Sequence, residues 1–180
     1  MLIWFAACVL IAVCAFLVIT FNDMVAARNR VRTAWSDIDV QLQRRHDLVP
    51  QLAAIVKGYA EHERGTLEAV VELRARAQQG GSVAQRGAVE SELGVGVTRL
   101  LALQERYPDL KASANFLQLQ RDLVDVEDRV QAARSTYNES VRDFNTQIQN
   151  FPELLLARPF GFAAFDFFQA EDRAPVSVSG

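Results

Sequence analysis

The sequence has little of what catalytic and nucleic-acid-binding chains rely on. Lys57 and Lys111 are its only lysines, and the formal net charge is −3 with a pI of about 5.4. A general nucleic-acid binder needs a clustered basic face, which this balance does not supply. Cysteine is confined to Cys8 and Cys14, both inside one apolar run. Six positions apart, they face different sides of a helix and cannot pair within a chain. Neither sits in a lipoprotein attachment context, so they read as small apolar residues in a membrane helix. Histidine occurs only as His46 and His62. These lack the i, i+4 spacing with an intervening Glu of a helical zinc hydrolase. There is no phosphate-cradling Gly-rich loop. Carboxylates are spread over faces where they make i, i+4 pairs with Arg. No catalytic residue, metal site or cofactor is expected.

Charge is also missing from Met1 to Phe21, where Asn22 and Asp23 end the run. A helix of about 20 residues rises about 30 Å, the thickness of a hydrocarbon core. A cleaved signal peptide needs a basic start, a shorter apolar stretch and a small-residue cleavage site. The run has none of these, so residues 1–21 are expected to stay as a transmembrane anchor in a lipid bilayer. Arg28, Arg30 and Arg32 follow the anchor, and by the positive-inside rule they place the C-terminal part in the cytoplasm.

What is present beyond the anchor is helical periodicity. Val31, Trp35, Ile38, Leu42 and Val49 form a stripe at multiples of three and four residues. No Gly or Pro interrupts the chain between Met1 and Asp47, so one helix can leave the bilayer as a stalk. A break is expected at residues 45–50, with Asp47 as N-cap and Pro50 in the first turn. Leu52, Val56, Tyr59, Glu63, Leu67 and Val70 carry a second stripe, closed by Gly80 and Gly81. Ser82 and Gln85 have capping-box spacing and open a third helix. Within it Gly94 and Gly96 mark either a close helix approach or local weakness. Pro108 ends that helix. A fourth stripe runs from Phe116 to Phe151. The predicted fold is all-α: a transmembrane helix continuing into a long antiparallel four-helix bundle with coiled-coil-like seams. The bundle covers residues 22–151, in helices over about 22–45, 48–79, 83–107 and 110–150.

Residues 152–168 change character, with Phe160, Phe162, Phe165, Phe167 and Phe168 crowded together. So much Phe does not stay singly exposed. The segment is either a flap packed on one end of the bundle or a docking surface for a second copy or the bilayer. Residues 169–180 are polar and expected to be disordered.

Two local clusters hold side chains capable of chemistry. His46 and His62, each beside acids, read as hydrogen-bonded or solvated imidazoles; the alternative is a meeting across a seam with Asp39 or Glu63. Arg44, Arg45, His46 and Asp47 stand at the end of the stalk, about 35 Å from the bilayer if the helix is straight. That exceeds a Debye length, which leaves a solvated turn or a partner contact.

The run Ala34-Trp35-Ser36-Asp37-Ile38-Asp39-Val40-Gln41-Leu42-Gln43-Arg44-Arg45-His46-Asp47-Leu48-Val49-Pro50 resembles the signature of the LemA family, and Val56-Lys57-Gly58-Tyr59-Ala60 extends it. Tyr137-Asn138-Glu139, Phe144-Asn145-Thr146, Phe151-Pro152 and Phe160-Gly161-Phe162 are similar to its C-terminal motif. The likeness covers Phe21 to Phe168, and Phe144 departs from it where the family often has Tyr. The resemblance implies a bacterial single-pass inner-membrane protein with a helical bundle and no established enzymatic activity. Genes of relatives often lie beside those of membrane metallopeptidases or TPM-type proteins, which implies a setting in envelope quality control. The interaction candidates it adds are Trp35, Asp39, Arg44 to Asp47, Pro50, Lys57 to Tyr59, Tyr137, Asn138, Asn145, Phe151, Pro152, Phe160, Phe162, Phe165 and Phe168.

The expected function is a membrane-anchored scaffold or adaptor that forms a homo-oligomer or holds a membrane protein partner, without nucleic acid. A regulatory module binding a small ligand or peptide between helices is the alternative, and an enzyme ranks below both.

Overall fold

The structure, a computed structural model, describes residues 1–168. They form α1 (Leu2–Tyr59), α2 (Arg64–Ala77), α3 (Val83–Ala102), α4 (Pro108–Ala112), α5 (Ala114–Gln147) and α6 (Glu153–Ala157). Two 3₁₀ turns, Glu61–Glu63 and Leu103–Glu105, join the set, and no strand occurs among the described residues. The fold is all-α, as the periodicity requires. The expected disordered tail, 169–180, lies outside the described residues. The described residues divide into two compact units, one of residues 1–36 and 135–166, the other of residues 37–134 with Phe167 and Phe168.

In the second unit four helices enclose one core. Val49, Leu52 and Val56 of α1, Leu67 and Val70 of α2, Leu93, Val97 and Leu100 of α3, and Phe116, Leu119 and Leu123 of α5 are all buried in it. Short connections make α1 and α2, then α2 and α3, antiparallel neighbours. The α2–α3 turn uses Gly80 and Gly81 at φ 76° and 140°, a region that L side chains avoid. Ser82 Oγ accepts from the Gln85 amide while Gln85 Oε1 accepts from the Ser82 amide, so the expected capping box is formed. Of the two readings of Gly96, close approach holds: a Cβ there would meet Val70 Cγ2 of α2 at 2.9 Å.

The expected break at residues 45–50 is absent. α1 continues through Pro50 and ends at Tyr59, and the reversal falls at Ala60–Glu63 instead. Pro inside a helix removes one N–H and costs about 3 kcal/mol. Here the carbonyl that loses its donor belongs to His46, and Arg74 of α2 donates Nε–H into it at 2.7 Å. A tertiary bond thus replaces the missing helical one. Asp47 caps nothing and accepts from Gln43 Nε2 at 2.8 Å on an exposed face. The expected third helix ends early, at Ala102, and tightens into a 3₁₀ turn. The expected fourth helix is divided at Ser113, whose extended backbone (ψ 118°) separates α4 from α5.

In the first unit Met24, Val31, Tyr137, Val141, Phe144 and Phe162 are buried. Trp35 meets Tyr137 edge-on with ring centroids 5.3 Å apart. Residues 1–19 are exposed throughout. Their part of α1 reaches a mean hydropathy of 3.0, and α1 is the one helix among the described residues long and apolar enough to cross a membrane.

If Arg74 replaces the donor that Pro50 lacks, Arg74→Met should lower unfolding free energy by about 1–3 kcal/mol. On a Pro50→Ala background, where residue 50 regains its N–H, the same change should cost clearly less. Denaturant unfolding of the four variants checks this; equal costs on both backgrounds would refute the replacement.

Candidate functional site

The buried positions of α1 run Ile38, Leu42, Arg45, Val49, Leu52 and Val56, in steps of four and three. Arg45 therefore occupies a core position. On α3 the buried series Gly87, Glu90, Leu93 and Val97 places Glu90 likewise, and on α5 Val126, Val130 and Arg134 continue into a third buried charge. An isolated buried ion costs several kcal/mol, so such groups persist only when paired.

Arg45 and Glu90 are paired across helices. His46 Nε2 lies 2.7 Å from Glu90 Oε1. Arg45 Nη1 lies 3.6 Å from Glu90 Oε2, and Nη2 lies 3.1 Å from Glu127 Oε2. Arg45 Nη1 also donates to the Glu90 main-chain carbonyl at 3.4 Å. A carboxylate only accepts, so His46 Nε2 carries the proton. The Arg134 guanidinium sits 4.8 Å above the ring of Phe168. Burial pulls the Arg134 pKa below arginine's ordinary value; Glu127 and Glu90 oppose this, while Arg45 adds to it. Arg45 and Arg134 thus balance Glu90 and Glu127. Gly94 completes the layer, because a Cβ there would stand 2.5 Å from Arg45 Nη2. Close approach, this time of a side chain, again explains the glycine.

A His–Glu pair has the groups for proton transfer, but a general base must reach its substrate. Here Nε2 and the carboxylate are engaged with each other and with Arg45, and Arg45, His46 and Glu90 are each at most 4% exposed. The layer reads as structural. The solvated turn or partner contact expected for Arg45 and His46 is therefore corrected for both residues, while Arg44 and Asp47 remain exposed. His46 does not meet Asp39, which pairs with Arg86 at 2.5 Å, nor Glu63, which pairs with Arg106. His62 is exposed in the 3₁₀ turn. No group of three or more His, Cys, Asp or Glu among the described residues is placed to hold a metal.

Several openings border this unit's helices, one of them, of about 730 Å³, lined by Asp39, Arg44, His46 and Arg86 among others. A cleft of about 480 Å³ beside the charged layer is lined by Arg45, Glu90, Gly94, Thr98, Glu127 and Arg134, among others. A groove of about 790 Å³ between α1 and α2 has Ala53, Ala54, Leu67, Val71 and Ala75 on its apolar side, with Lys57, Glu61, Arg64, Glu68 and Glu72 around them. Of the other motif residues in this unit, Pro50, Gly58 and Tyr59 are exposed on α1.

The remaining motif residues gather in the first unit. Asn145 clasps the C-terminal segment, donating Nδ2–H to the Phe165 carbonyl and accepting from the Phe165 amide, both at 2.9 Å. Tyr137 donates its hydroxyl to the Asp166 carbonyl at 2.9 Å. Burial, joined by the Asp166 charge, pushes the Tyr137 pKa above its ordinary value. Phe162 and Phe165 pack against Phe144, and Phe160 and Phe162 against Phe21. The Phe-rich segment is thus a flap held in cis, although Phe151 and Phe160 remain 81% and 57% exposed. Asn138 is half-buried, and Pro152 follows Phe151 through a cis peptide.

Compared with known proteins, residues 34–179 match the sequence model of the LemA family. That span leaves out the apolar start of α1. The magnetosome protein MamQ of Magnetospirillum gryphiswaldense is 24% identical over 185 residues, covering 88% of this chain and 68% of its own. The magnetosome protein MamQ 2 of Paramagnetospirillum magneticum is 23% identical over the same shares. Protein LemA of Metamycoplasma hominis is 28% identical over 159 residues, covering 87% of this chain and 72% of its own.

Glu90→Gln leaves Arg45 buried beside a neutral partner and should cost about 3–5 kcal/mol. Gly94→Ala should cost about 1–3 kcal/mol by overpacking, and much less once Arg45→Met has removed the guanidinium. Unfolding measurements decide the point. A Glu90→Gln loss within about 1 kcal/mol, the range of a surface pair, would mean the layer is solvated.

Proposed function

The chain belongs to the LemA family, and from that premise we propose a membrane-anchored helical scaffold that works by self-association rather than catalysis. The apolar segment of α1 supplies the anchor. Arg28, Arg30 and Arg32 beyond it favour a cytoplasmic helical part in a bacterial inner membrane. The envelope quality-control setting implied by the resemblance suits such a scaffold.

The observation that carries the reading is the α1–α2 groove. Its alanines let another helix approach closely, and Val71 is 49% exposed within it. Lys57 and Arg64 lie around the same opening as Glu61, Glu68 and Glu72. A two-fold pairing would set the bases of one copy against the acids of the other, the self-complementarity an isologous interface needs. Anchoring raises the effective concentration of copies in the membrane and so lowers the affinity required.

A second reading, a module sensing a small ligand, has the 480 Å³ cleft in its favour. Glu90 Oε2 and Arg134 Nε border it without a hydrogen-bond partner among the described residues.

Light scattering of the full chain in mild detergent, with the detergent contribution subtracted, should give a discrete oligomer. Val71→Glu should reduce it to a monomer while changing unfolding free energy by no more than about 0.5 kcal/mol, as for a surface site. A wild-type chain that is monomeric at every concentration would contradict the proposal.

A further inference from the structure

The first unit ends in apolar side chains that its own packing leaves uncovered. Phe151, Leu155, Phe160 and Leu154 are 81%, 63%, 57% and 41% exposed, and they lie within ten residues of chain around α6. A soluble surface rarely gathers so much.

Their place in the fold says what covers them. Trp35 and Tyr137 are in ring contact, and Phe162 touches both Phe21 and Arg28 of α1 and Phe144 of α5, so α1 and α5 run antiparallel there. Fourteen residues back from Trp35 is Phe21, and ten residues on from Tyr137 is Gln147, where α5 ends four residues before Phe151. At about 1.5 Å per residue Phe21 lies about 21 Å and Gln147 about 15 Å from that contact, on the same side. Phe21 is the last residue of the uncharged run. The chain beyond α5 keeps turning at this level, with the Asn150 amide bonded to the Thr146 carbonyl at 3.2 Å and the Leu154 amide to the Asn150 carbonyl at 2.7 Å. Phe160 then returns to place its ring 5.0 Å from that of Phe21. The exposed cluster is therefore continuous with the point where α1 emerges from its apolar segment. Arg30 and Arg158, both exposed, belong to the same unit and suit an anionic headgroup layer.

We propose that the α5–α6 turn and α6 form a second membrane contact, in which Phe151, Leu154, Leu155 and Phe160 enter the headgroup–acyl boundary of the leaflet through which α1 leaves. This rests on the anchored reading of α1. The contact resembles that of an interfacial amphipathic segment, with apolar side chains a few ångströms deep and the charged neighbours at the surface. Asn145 and Tyr137, by clasping residues 165 and 166, hold the segment that carries Phe160 against α1. Insertion would fix the rotation of the first unit about the anchor.

The test uses the full chain with Cys8→Ala and Cys14→Ala, carrying an environment-sensitive NBD label at Leu155→Cys or, separately, at Val18→Cys. Each is placed in vesicles of phosphatidylcholine and phosphatidylglycerol, with or without lipid bearing a nitroxide high on the acyl chain. The proposal expects blue-shifted emission from position 155 and its loss with the nitroxide lipid, as at position 18. Quenching at 18 with green, unquenched emission at 155 overturns the contact and leaves the anchor standing. A blue shift at 155 without lipid quenching overturns it in favour of a second copy covering the cluster. Absence of quenching at both positions overturns the anchor and the contact together.

Discussion

The carboxylate of Glu90, 1% exposed, is the constraint on which the second unit depends. It is placed in the core by the helical period of α3, and a buried carboxylate must find cations. Arg45 supplies a charge and His46 a ring hydrogen bond from adjacent positions of α1, and this fixes the rotation and height of α1 against α3. Arg45 then reaches Glu127 on α5, so one guanidinium ties three helices. The apolar positions above and below can pack in several registers, since hydrophobic burial is not directional. The charges accept far fewer, and removing any one strands the others.

The same layer explains how α1 keeps its direction through a proline. His46 donates from its ring to Glu90 while its carbonyl, orphaned by Pro50, receives Arg74. One residue thus links α1 to α3 through its side chain and to α2 through its main chain. Local propensity alone would end the helix at this point. Two tertiary bonds reverse that preference, which is why the turn appears at Ala60–Glu63.

Much of the helical plan was legible in the sequence, for physical reasons. The stripes from Val31 to Leu42 and from Phe116 to Ile148 are long enough for periodicity to outweigh local noise. The capping box at Ser82 uses side chains that reach only their own turn, so spacing suffices. What was not legible depended on partners distant in sequence. The break assigned at residues 45–50 was a sound local inference that Arg74, on another helix, overrides. The seven-residue gap in the stripe between Leu42 and Val49 was a signal in itself, since a core position at residue 45 fills it in steps of three and four. Glu90 and Arg134 fall on their helices' buried series in the same way. Reading charged residues as surface residues hid all three. In the first unit Asn145 was legible from resemblance alone, while Tyr137 fell on the fourth stripe and Phe162 in the Phe-rich segment. Their work, holding residues 160–166 against α1 and α5, required the fold to be seen.

The central claim, that buried charges hold α1 continuous and packed across Pro50, is tested most directly by amide hydrogen exchange along residues 46–56. The account predicts slow exchange for Val49, Leu52 and Val56 in the wild type, at the level of the core amides of α3, with protection on both sides of Pro50 lost together in Glu90→Gln. Free-peptide exchange rates at Val49 and Leu52 in the wild type, beside a protected α3, would contradict it.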